Sequence, residues 1–302
     1  MKLSLNLFRT AVDRSWKSMH AVCGLPTCPN TLIMRSVGQS QVGIRVGQLW
    51  YCSVDCFAGG ALARISALSN NRVVEMPHSP RMSIGLVMLQ KGYLTDEQLR
   101  FAITQSQLHG EELEATLVRL GLANEWQLTS ARAVQWGHPV LGQDGTGQPV
   151  EADIPATLLR ACSAAPLHYS LVAKRLVLGF VYRVEHSLLD SLEQITGCRA
   201  EPCFITPTAF GEQMARLTPA LGYEEVFLED PLTPAQMAKA VGGLAVEVGA
   251  KEASFTSYRN YIWTRLAGKR RKIDVLFRGK YAAEATKKRN FSLLDENISS
   301  LG

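Results

Sequence analysis

The sequence predicts an α+β protein with several small domains: a cysteine-rich module, then a helical bundle with an αβ subdomain, then a small α+β domain with a β-hairpin. Three features predict this order: two close cysteine pairs near the amino terminus, a 29-residue repeat in the middle, and a helix followed by alternating segments near the carboxy terminus. With 302 residues, 46% of them hydrophobic, the chain is long enough for two or three domains with their own cores.

The cysteine module contains four of the seven cysteines in two pairs, Cys23 with Cys28 and Cys52 with Cys56. Zinc binds four thiolates in a tetrahedron, and two cysteines a few turn residues apart can supply two of them. Residues 41–50, QVGIRVGQLW, alternate like a strand that returns the second pair to the first. The pattern favours structural Zn²⁺, with free thiols and a redox-active pair as alternatives.

No signal peptide or membrane span is expected. Polar and charged residues interrupt the apolar positions of the first twenty residues, so no hydrophobic signal segment forms. The longest apolar run, 176–182, is far shorter than the roughly 20 residues of a spanning helix. We therefore expect a cytoplasmic protein, and a reducing compartment favours metal over disulfides at the cysteine pairs. The other cysteines, Cys162, Cys198 and Cys203, are interpreted as buried apolar residues.

The middle of the chain contains an internal repeat with a period of 29 residues. The aligned pairs are Ile84 and Leu113, Met88 and Leu117, Leu89 and Val118, Gly92 and Gly121, Leu99 and Leu128, and Ala102 and Ala131. Each repeat predicts a short helix that ends at a glycine and a second helix capped by Thr95 or Asn124. Two such pairs of helices make a four-helix bundle.

This repeat resembles the amino-terminal domain of the type II secretion and type IV pilus assembly ATPases, in the form that binds cyclic di-GMP. That family has two tandem motifs of the type Arg-Leu-Gly-x-x-Leu-Val-x-x-Gly-Leu-Leu-x4-Leu-x3-Leu-x2-Gln, with the same offset. The positions kept here are Ile84, Gly85, Met88, Leu89, Gly92, Leu94, Leu99 and Ile103 in the first repeat, and Leu113, Leu117, Val118, Gly121, Leu122, Leu128 and Gln135 in the second.

The resemblance implies a cyclic di-GMP site. Glycines would allow the backbone to approach the ligand, apolar side chains would cover the guanines, and an arginine would bind a guanine edge or a phosphate. The residues implied are Arg81, Ile84, Gly85, Met88, Leu89, Gly92, Leu113, Leu117, Val118, Gly121 and Gln135.

Three positions depart from the motif. Ser83 stands at the first arginine position, Ser106 at the first glutamine position, and Glu114 where the first repeat has Gly85. A carboxylate at the position of Glu114 would repel an anionic ligand.

Residues 153–217 resemble the αβ half of the same domain. They predict a helix from Pro155, a turn at 165–167, a strand over 176–182, a helix from Ser187 and a strand from Arg199. A further helix over 235–248 precedes a hairpin with strands around Tyr261 to Arg265 and Ile273 to Phe277, which faintly resembles the domain before the motor in those ATPases.

These observations divide the chain into five predicted segments. They are a zinc-binding module (18–62), the tandem-repeat bundle (78–140), its αβ subdomain (150–218), a small helix-plus-hairpin domain (230–282) and a tail (283–302).

An ATPase of this kind needs a phosphate-binding loop, G-x4-G-K-[ST], and the sequence contains none. No nucleophile or metal-ligating histidine pattern points to catalysis either. We therefore expect a non-catalytic regulatory or adaptor protein without the ATPase motor. It would dock a protein partner from a secretion or pilus machinery, or a separate ATPase. Two possibilities stay open for the repeat: it binds cyclic di-GMP, or it is only a docking scaffold.

Two other functions compete with this prediction. A nucleic-acid-binding regulator would use the zinc module together with the basic runs 269–272 and 287–289, but only Arg35 and Arg45 lie between the cysteine pairs, so nucleic acid is the less favoured partner. An enzyme would need Cys52 or Cys56 as a reactive thiolate.

Overall fold

The computed structural model describes residues 20–29, 31–33, 43–70, 81–142 and 149–278. These residues form a mixed α+β structure that divides into two compact units. The first, here the sheet unit, contains the described residues of 1–73 and 221–302, and the second, the repeat unit, contains those of 74–220. None of the helices in the described ranges is long and apolar enough to cross a membrane.

The sheet unit is built on one six-stranded sheet with two helices. Its elements are β1 (His20–Val22), β2 (Thr31–Ile33), β3 (Ile44–Val46), β4 (Leu49–Tyr51), α1 (Val54–Asn70), β10 (Tyr223–Leu228), α9 (Pro234–Val248), β11 (Glu252–Tyr258), β12 (Tyr261–Ala267) and β13 (Lys272–Arg278). The six strands lie in the order β10-β13-β12-β11-β3-β4, and β1 pairs with β2 separately.

The sheet joins two distant parts of the chain. Strand β11 runs parallel to β3, with Glu252 opposite Arg45 and Ala253 opposite Val46. The Arg45 amide also donates to the Lys251 carbonyl at 2.8 Å. The cysteine module and the carboxy-terminal hairpin, predicted as separate domains, therefore share one sheet. Local sequence patterns do not encode a pairing between strands about 200 residues apart.

Helices α1 and α9 pack against each other and cover one face of this sheet. The shared core contains Phe57 and Ile65 of α1, Val241 of α9, and Phe255 and Val275 of the sheet, all buried. One core thus supports both the cysteine module and the carboxy-terminal strands.

The opposite face of the sheet has a buried ion pair. Arg265 donates twice to Asp274, at 2.8 and 2.7 Å, and the Tyr223 hydroxyl donates to the same carboxylate at 3.0 Å. Burying a charge is costly unless it is paired and hydrogen-bonded, and this geometry meets both conditions.

The repeat unit contains the bundle and an αβ subdomain. Its elements are α2 (Ile84–Gln90), α3 (Asp96–His109), α4 (Leu113–Arg119), α5 (Glu125–Trp136), β5 (Val150–Ala152), α6 (Ala156–Ala161), β6 (Ala164–Ser170), β7 (Arg175–Phe180), α7 (His186–Thr196), β8 (Arg199–Phe204), α8 (Pro207–Arg216) and β9 (Leu217–Pro219). Strands β6, β7 and β8 form one sheet, and β5 pairs with β9.

The predicted turn at 165–167 is wrong, because these residues lie within β6. The strand tolerates Pro166 because its register with β7 shifts between Pro166 and His168, a bulge at which a missing backbone N–H can be accommodated. The bundle and this sheet are joined directly. The Leu141 amide donates to the Phe204 carbonyl at 2.9 Å, and the Phe204 amide donates to the Pro139 carbonyl at 2.8 Å.

Gly60 of α1 provides a test of packing in the sheet unit. A Cβ atom there would lie 2.3 Å from the Tyr51 ring, whereas a Cβ atom on Gly243 of α9 would meet no atom within 4 Å. We expect Gly60→Ala to lower the free energy of unfolding by about 1–3 kcal/mol through overpacking. Gly243→Ala, the matched control, should raise it by about 0.5–1 kcal/mol because alanine favours helices. Urea denaturation followed by circular dichroism measures both, and a Gly60→Ala protein as stable as the wild type would contradict the packing.

Candidate metal centre and ligand surface

The four predicted cysteines come together in the sheet unit. The Sγ atoms of Cys23, Cys28, Cys52 and Cys56 all lie within 4.8 Å of one another. Cys52 Sγ is 3.6 Å from both Cys28 Sγ and Cys56 Sγ. Four thiolates at about 2.3 Å from a tetrahedral zinc ion lie about 3.8 Å apart, so the observed spacing fits a shared metal. A disulfide needs about 2.05 Å, and none of the four cysteines forms one.

Three segments deliver these cysteines. Cys23 follows β1 and lies opposite Trp50 of β4, while the Gly24 amide donates to the Trp50 carbonyl at 2.7 Å. The Cys28 amide closes its turn on the Leu25 carbonyl at 2.9 Å. Backbone hydrogen bonds thus hold these segments together. They bring the sulfur atoms close to one another without a bound metal.

The second pair spans the junction between β4 and α1. Cys52 directly follows β4, and Cys56 lies in the first turn of α1, where its amide donates to the Ser53 hydroxyl at 3.2 Å. Tyr51 is buried and contacts Phe57 edge to face, with ring centroids 6.2 Å apart. The junction is therefore fixed by a helix cap and by the core, and the four cysteines could hold one metal ion.

The two repeats adopt the same local structure at the 29-residue offset. Gly92 and Gly121 have φ of 70° and 68°, and each follows a seven-residue helix. Thr95 and Asn124 both form capping boxes with the residue three positions later. The repeat in the sequence is thus a repeat in structure.

Equivalent hydrogen bonds join the end of each repeat to the start of the other. The Ser106 hydroxyl, at the end of the first repeat, donates to the Glu111 carbonyl at 2.6 Å. Gln135, its counterpart in the second repeat, donates to the carbonyl of Met82, the counterpart of Glu111, at 2.6 Å. Ser106 departs from the family motif, yet it donates a hydrogen bond to a backbone carbonyl as its counterpart Gln135 does.

The residues predicted to bind cyclic di-GMP differ in exposure. Ile84, Gly85, Met88 and Leu117 are buried. Leu89, Leu113 and Gln135 are partly exposed, and Arg81, Gly92, Val118 and Gly121 are exposed. Only the last two groups are available to a ligand, and the first group forms the core of the bundle.

Packing and backbone conformation explain the glycines of the motif. A Cβ atom on Gly85 would lie 2.8 Å from a methyl group of Leu99, so this glycine permits close packing. Gly92 and Gly121 adopt the left-handed conformation that glycine favours, and the space beside them is open. These glycines are compatible with a ligand but do not require one.

Glu114 is neutralised within the fold. Its carboxylate forms an ion pair with the buried guanidinium of Arg132, which also donates to the Val181 carbonyl at 3.2 Å. The repulsion expected from Glu114 is therefore balanced by a positive charge. Ser83 has a structural role as well, because it caps α2 by accepting from the Leu86 amide.

Two side-chain contacts near the end of the second repeat, Arg81 with Trp136 and His138 with His186, do not emerge from the sequence analysis. The Arg81 guanidinium lies over the Trp136 ring at 3.4 Å from its centroid. The His138 and His186 rings are 6.3 Å apart, and His186 is the first, exposed residue of α7. No short motif joins these positions, so only the fold reveals the two contacts.

The other cysteines and the basic runs give less support for a functional site. Cys162, Cys198 and Cys203 are buried, as predicted, and burial raises the pKa of the Cys203 thiol to about 12. Arg271 of the first basic run is paired with Glu224 and Glu247. The second basic run, 287–289, and Arg35 lie outside the described residues.

Comparison with known proteins supports the resemblance found in the repeat. No protein-family model matches the chain. A segment of 141 residues, 46% of this chain, is 28% identical to the type IV pilus assembly ATPase PilB of Thermus thermophilus, of which the chain covers 16%.

Two solved structures are also similar. The structure of MshE with cdg (cyclic di-GMP) is 20% identical, covering 45% of this chain and 99% of that one, with a TM-score of 0.37. The amino-terminal domain of XpsE is 22% identical, covering 46% and 99%, with a TM-score of 0.35. The sequence match shows that a segment of this chain is related to part of a type IV pilus assembly ATPase, as the resemblance of the repeat leads us to expect.

Proposed function

We propose that this chain is a non-catalytic regulatory or adaptor protein with a structural Zn²⁺ ion, whose tandem repeat binds cyclic di-GMP and docks a protein partner. The observation that carries the proposal is the structural equivalence of the two repeats. Their glycine turns, capping boxes and reciprocal hydrogen bonds all recur at the offset of the family motif.

Zinc is the metal that the donor set favours. Four thiolates at tetrahedral spacing select zinc or an iron–sulfur cluster over calcium or magnesium, which prefer oxygen ligands. With four protein ligands the ion has no open position, so its role is structural. It would fasten the turn at Cys23 and Cys28 to the start of α1.

Exposed residues of the repeats support the proposal of a ligand surface. Val118 is an apolar side chain that is 47% exposed, and the space beside Gly92 and Gly121 is open. The pairing of Glu114 with Arg132 removes the unbalanced negative charge from the second repeat. An anionic dinucleotide could therefore lie against apolar side chains and exposed backbone.

Two observations support the adaptor role. The matched relative is a pilus assembly ATPase, and the 302 residues contain no G-x4-G-K-[ST] loop. The partner of this chain would be a component of a secretion or pilus machinery, or a separate ATPase.

Zinc content tests the metal centre. We expect about one zinc per wild-type chain by elemental analysis, and none in Cys52→Ala. The cysteine module of the variant should unfold, because the free energy of metal binding stabilises its fold. Cys203→Ala, which removes a buried thiol outside the cluster, is the control and should keep its zinc. A Cys52→Ala protein that stays folded and keeps its zinc would contradict the proposed metal centre.

Calorimetric titration with cyclic di-GMP tests the ligand. We expect micromolar or tighter binding by the wild type, weakened about tenfold or more in Val118→Asp, because a carboxylate would repel the phosphates. Val118 is preferable to the motif glycines as a target, since substitution at Gly92 or Gly121 would strain a positive φ. Val246→Asp, on an exposed valine of α9, is the matched control and should bind like the wild type.

The absence of binding heat and of any shift in melting temperature would refute the cyclic di-GMP part of the proposal. The zinc result is independent of this outcome, because the cysteines and the repeats lie in different compact units.

A further inference from the structure

We propose that the hairpin of β6 and β7 docks this chain on an anionic lipid surface. Leu171 and Val172 at its tip enter the bilayer interface, while Lys174 and Arg199 at its base bind the lipid phosphates. The inference goes beyond the proposed function and does not depend on it. Three features of the hairpin support it: the exposure of the tip, the charge at the base and the backbone conformation of the turn.

The tip of the hairpin has two adjacent apolar side chains in solvent. The turn consists of residues 171–174 and is closed by the pairing of Ser170 with Arg175. Leu171 is 51% exposed and Val172 is 98% exposed. Val172 therefore contributes almost nothing to the core, and both side chains are available to contact a surface outside the fold.

Three basic side chains lie at the base of the same turn. Lys174 and Arg175 directly follow the apolar pair. Arg199 of β8 lies beside them, because its amide donates to the Lys174 carbonyl at 2.8 Å and its register partner is Arg175. All three residues are exposed. The apolar tip thus has cations at its base.

One carboxylate pairs with these cations in the described part of the chain. The Arg175 guanidinium lies 2.7 Å from the Glu201 carboxylate. Lys174 and Arg199 form no ion pair with a described residue. The four side chains together therefore have a net positive charge, which an anionic surface attracts.

The turn is held in a defined conformation. The Ala173 amide donates to the Ser170 hydroxyl at 3.1 Å, and the hydrogen bond from Arg199 fixes the Lys174 carbonyl. Lys174 has a φ of 49°, in the left-handed region that favours glycine. The apolar and basic groups are thus already arranged side by side, so little ordering is required when they meet a surface.

Shape and size favour a lipid surface over a protein partner at this tip. Two side chains on a protruding turn offer far less than the roughly 800 Å² that each partner of a stable protein complex buries. A bilayer interface accepts a convex apolar tip, and lysine and arginine side chains at the same depth reach the phosphates.

The end of α3 provides a contrast within the same unit. Leu108 is 70% exposed, but the acidic residues Glu111 and Glu112 follow it. An anionic surface would repel these carboxylates, so apolar exposure alone does not make a lipid-binding site. Leu108 is therefore a suitable control position.

Co-sedimentation of the 302-residue chain with lipid vesicles tests the proposal. We expect at least tenfold tighter binding to vesicles of phosphatidylcholine and phosphatidylglycerol in equal parts than to phosphatidylcholine alone. Val172→Asp should weaken binding to the anionic vesicles about tenfold or more, because its carboxylate is repelled and the apolar contact is lost, whereas Leu108→Asp should bind like the wild type. Equal binding to both kinds of vesicle, or unchanged affinity of Val172→Asp, would overturn the proposal.

Lys174→Gly separates the effect of charge from the effect of folding. Glycine removes the strain of the positive φ, so the melting temperature of the variant should equal or exceed that of the wild type. Its affinity for the anionic vesicles should nevertheless fall about fivefold, because one cation is lost. Unchanged affinity in this folded variant would refute the role of the basic residues.

Fluorescence quenching tests whether the tip enters the bilayer. In anionic vesicles with brominated acyl chains, the emission that Val172→Trp adds to the wild-type spectrum should be quenched, and the emission that Leu108→Trp adds should not. A bound Val172→Trp protein without this quenching would contradict insertion of the tip. None of these measurements involves zinc or cyclic di-GMP, so their failure would leave the proposed function in place.

Discussion

The sheet unit depends on bringing four sulfur atoms from three segments within reach of one ion. Cys23 and Cys28 come from a turn, Cys52 from the end of β4, and Cys56 from the first turn of α1. Meeting this constraint fixes the β3–β4 hairpin against α1. Because β3 pairs with β11, the hairpin that carries Cys52 belongs to the same six-stranded sheet as the carboxy-terminal strands.

That pairing has an energetic cost that the cluster helps to offset. Roughly 200 residues separate β3 from β11, so their pairing is a long-range contact whose formation costs chain entropy. The parallel ladder between these strands covers only Glu252 and Ala253, which is too short to offset the cost alone. The contact between α1 and α9, with Phe57 and Val241 in its core, supplies apolar burial. A metal bound by the four cysteines would hold the start of α1 and would therefore stabilise the same junction.

The elements that sequence analysis predicted are those encoded locally. The caps at Thr95 and Asn124 and the turn at Gly92 depend on residues within one helical turn, and the structure contains all three. The shared sheet and the pairing of Glu114 with Arg132 depend on contacts across the fold, which no local pattern specifies. The cysteine cluster lies between these cases. Its pairs are local, but only the four-ligand requirement of zinc predicts that the two pairs converge, because no local pattern in the sequence specifies that contact.

The structure also changes what the family motif can tell about function. Gly85 is explained by packing, and Gly92 and Gly121 by their positive φ, so these glycines would be retained in a repeat that had lost its ligand. Residues that the fold does not require carry more information about binding. Val118 leaves apolar surface exposed, and the exposed Arg81 lies over the Trp136 ring. Substitution of Val118 disturbs neither the buried core nor a positive φ, so its effect on ligand binding separates a receptor from a scaffold more clearly than substitution of the motif glycines does.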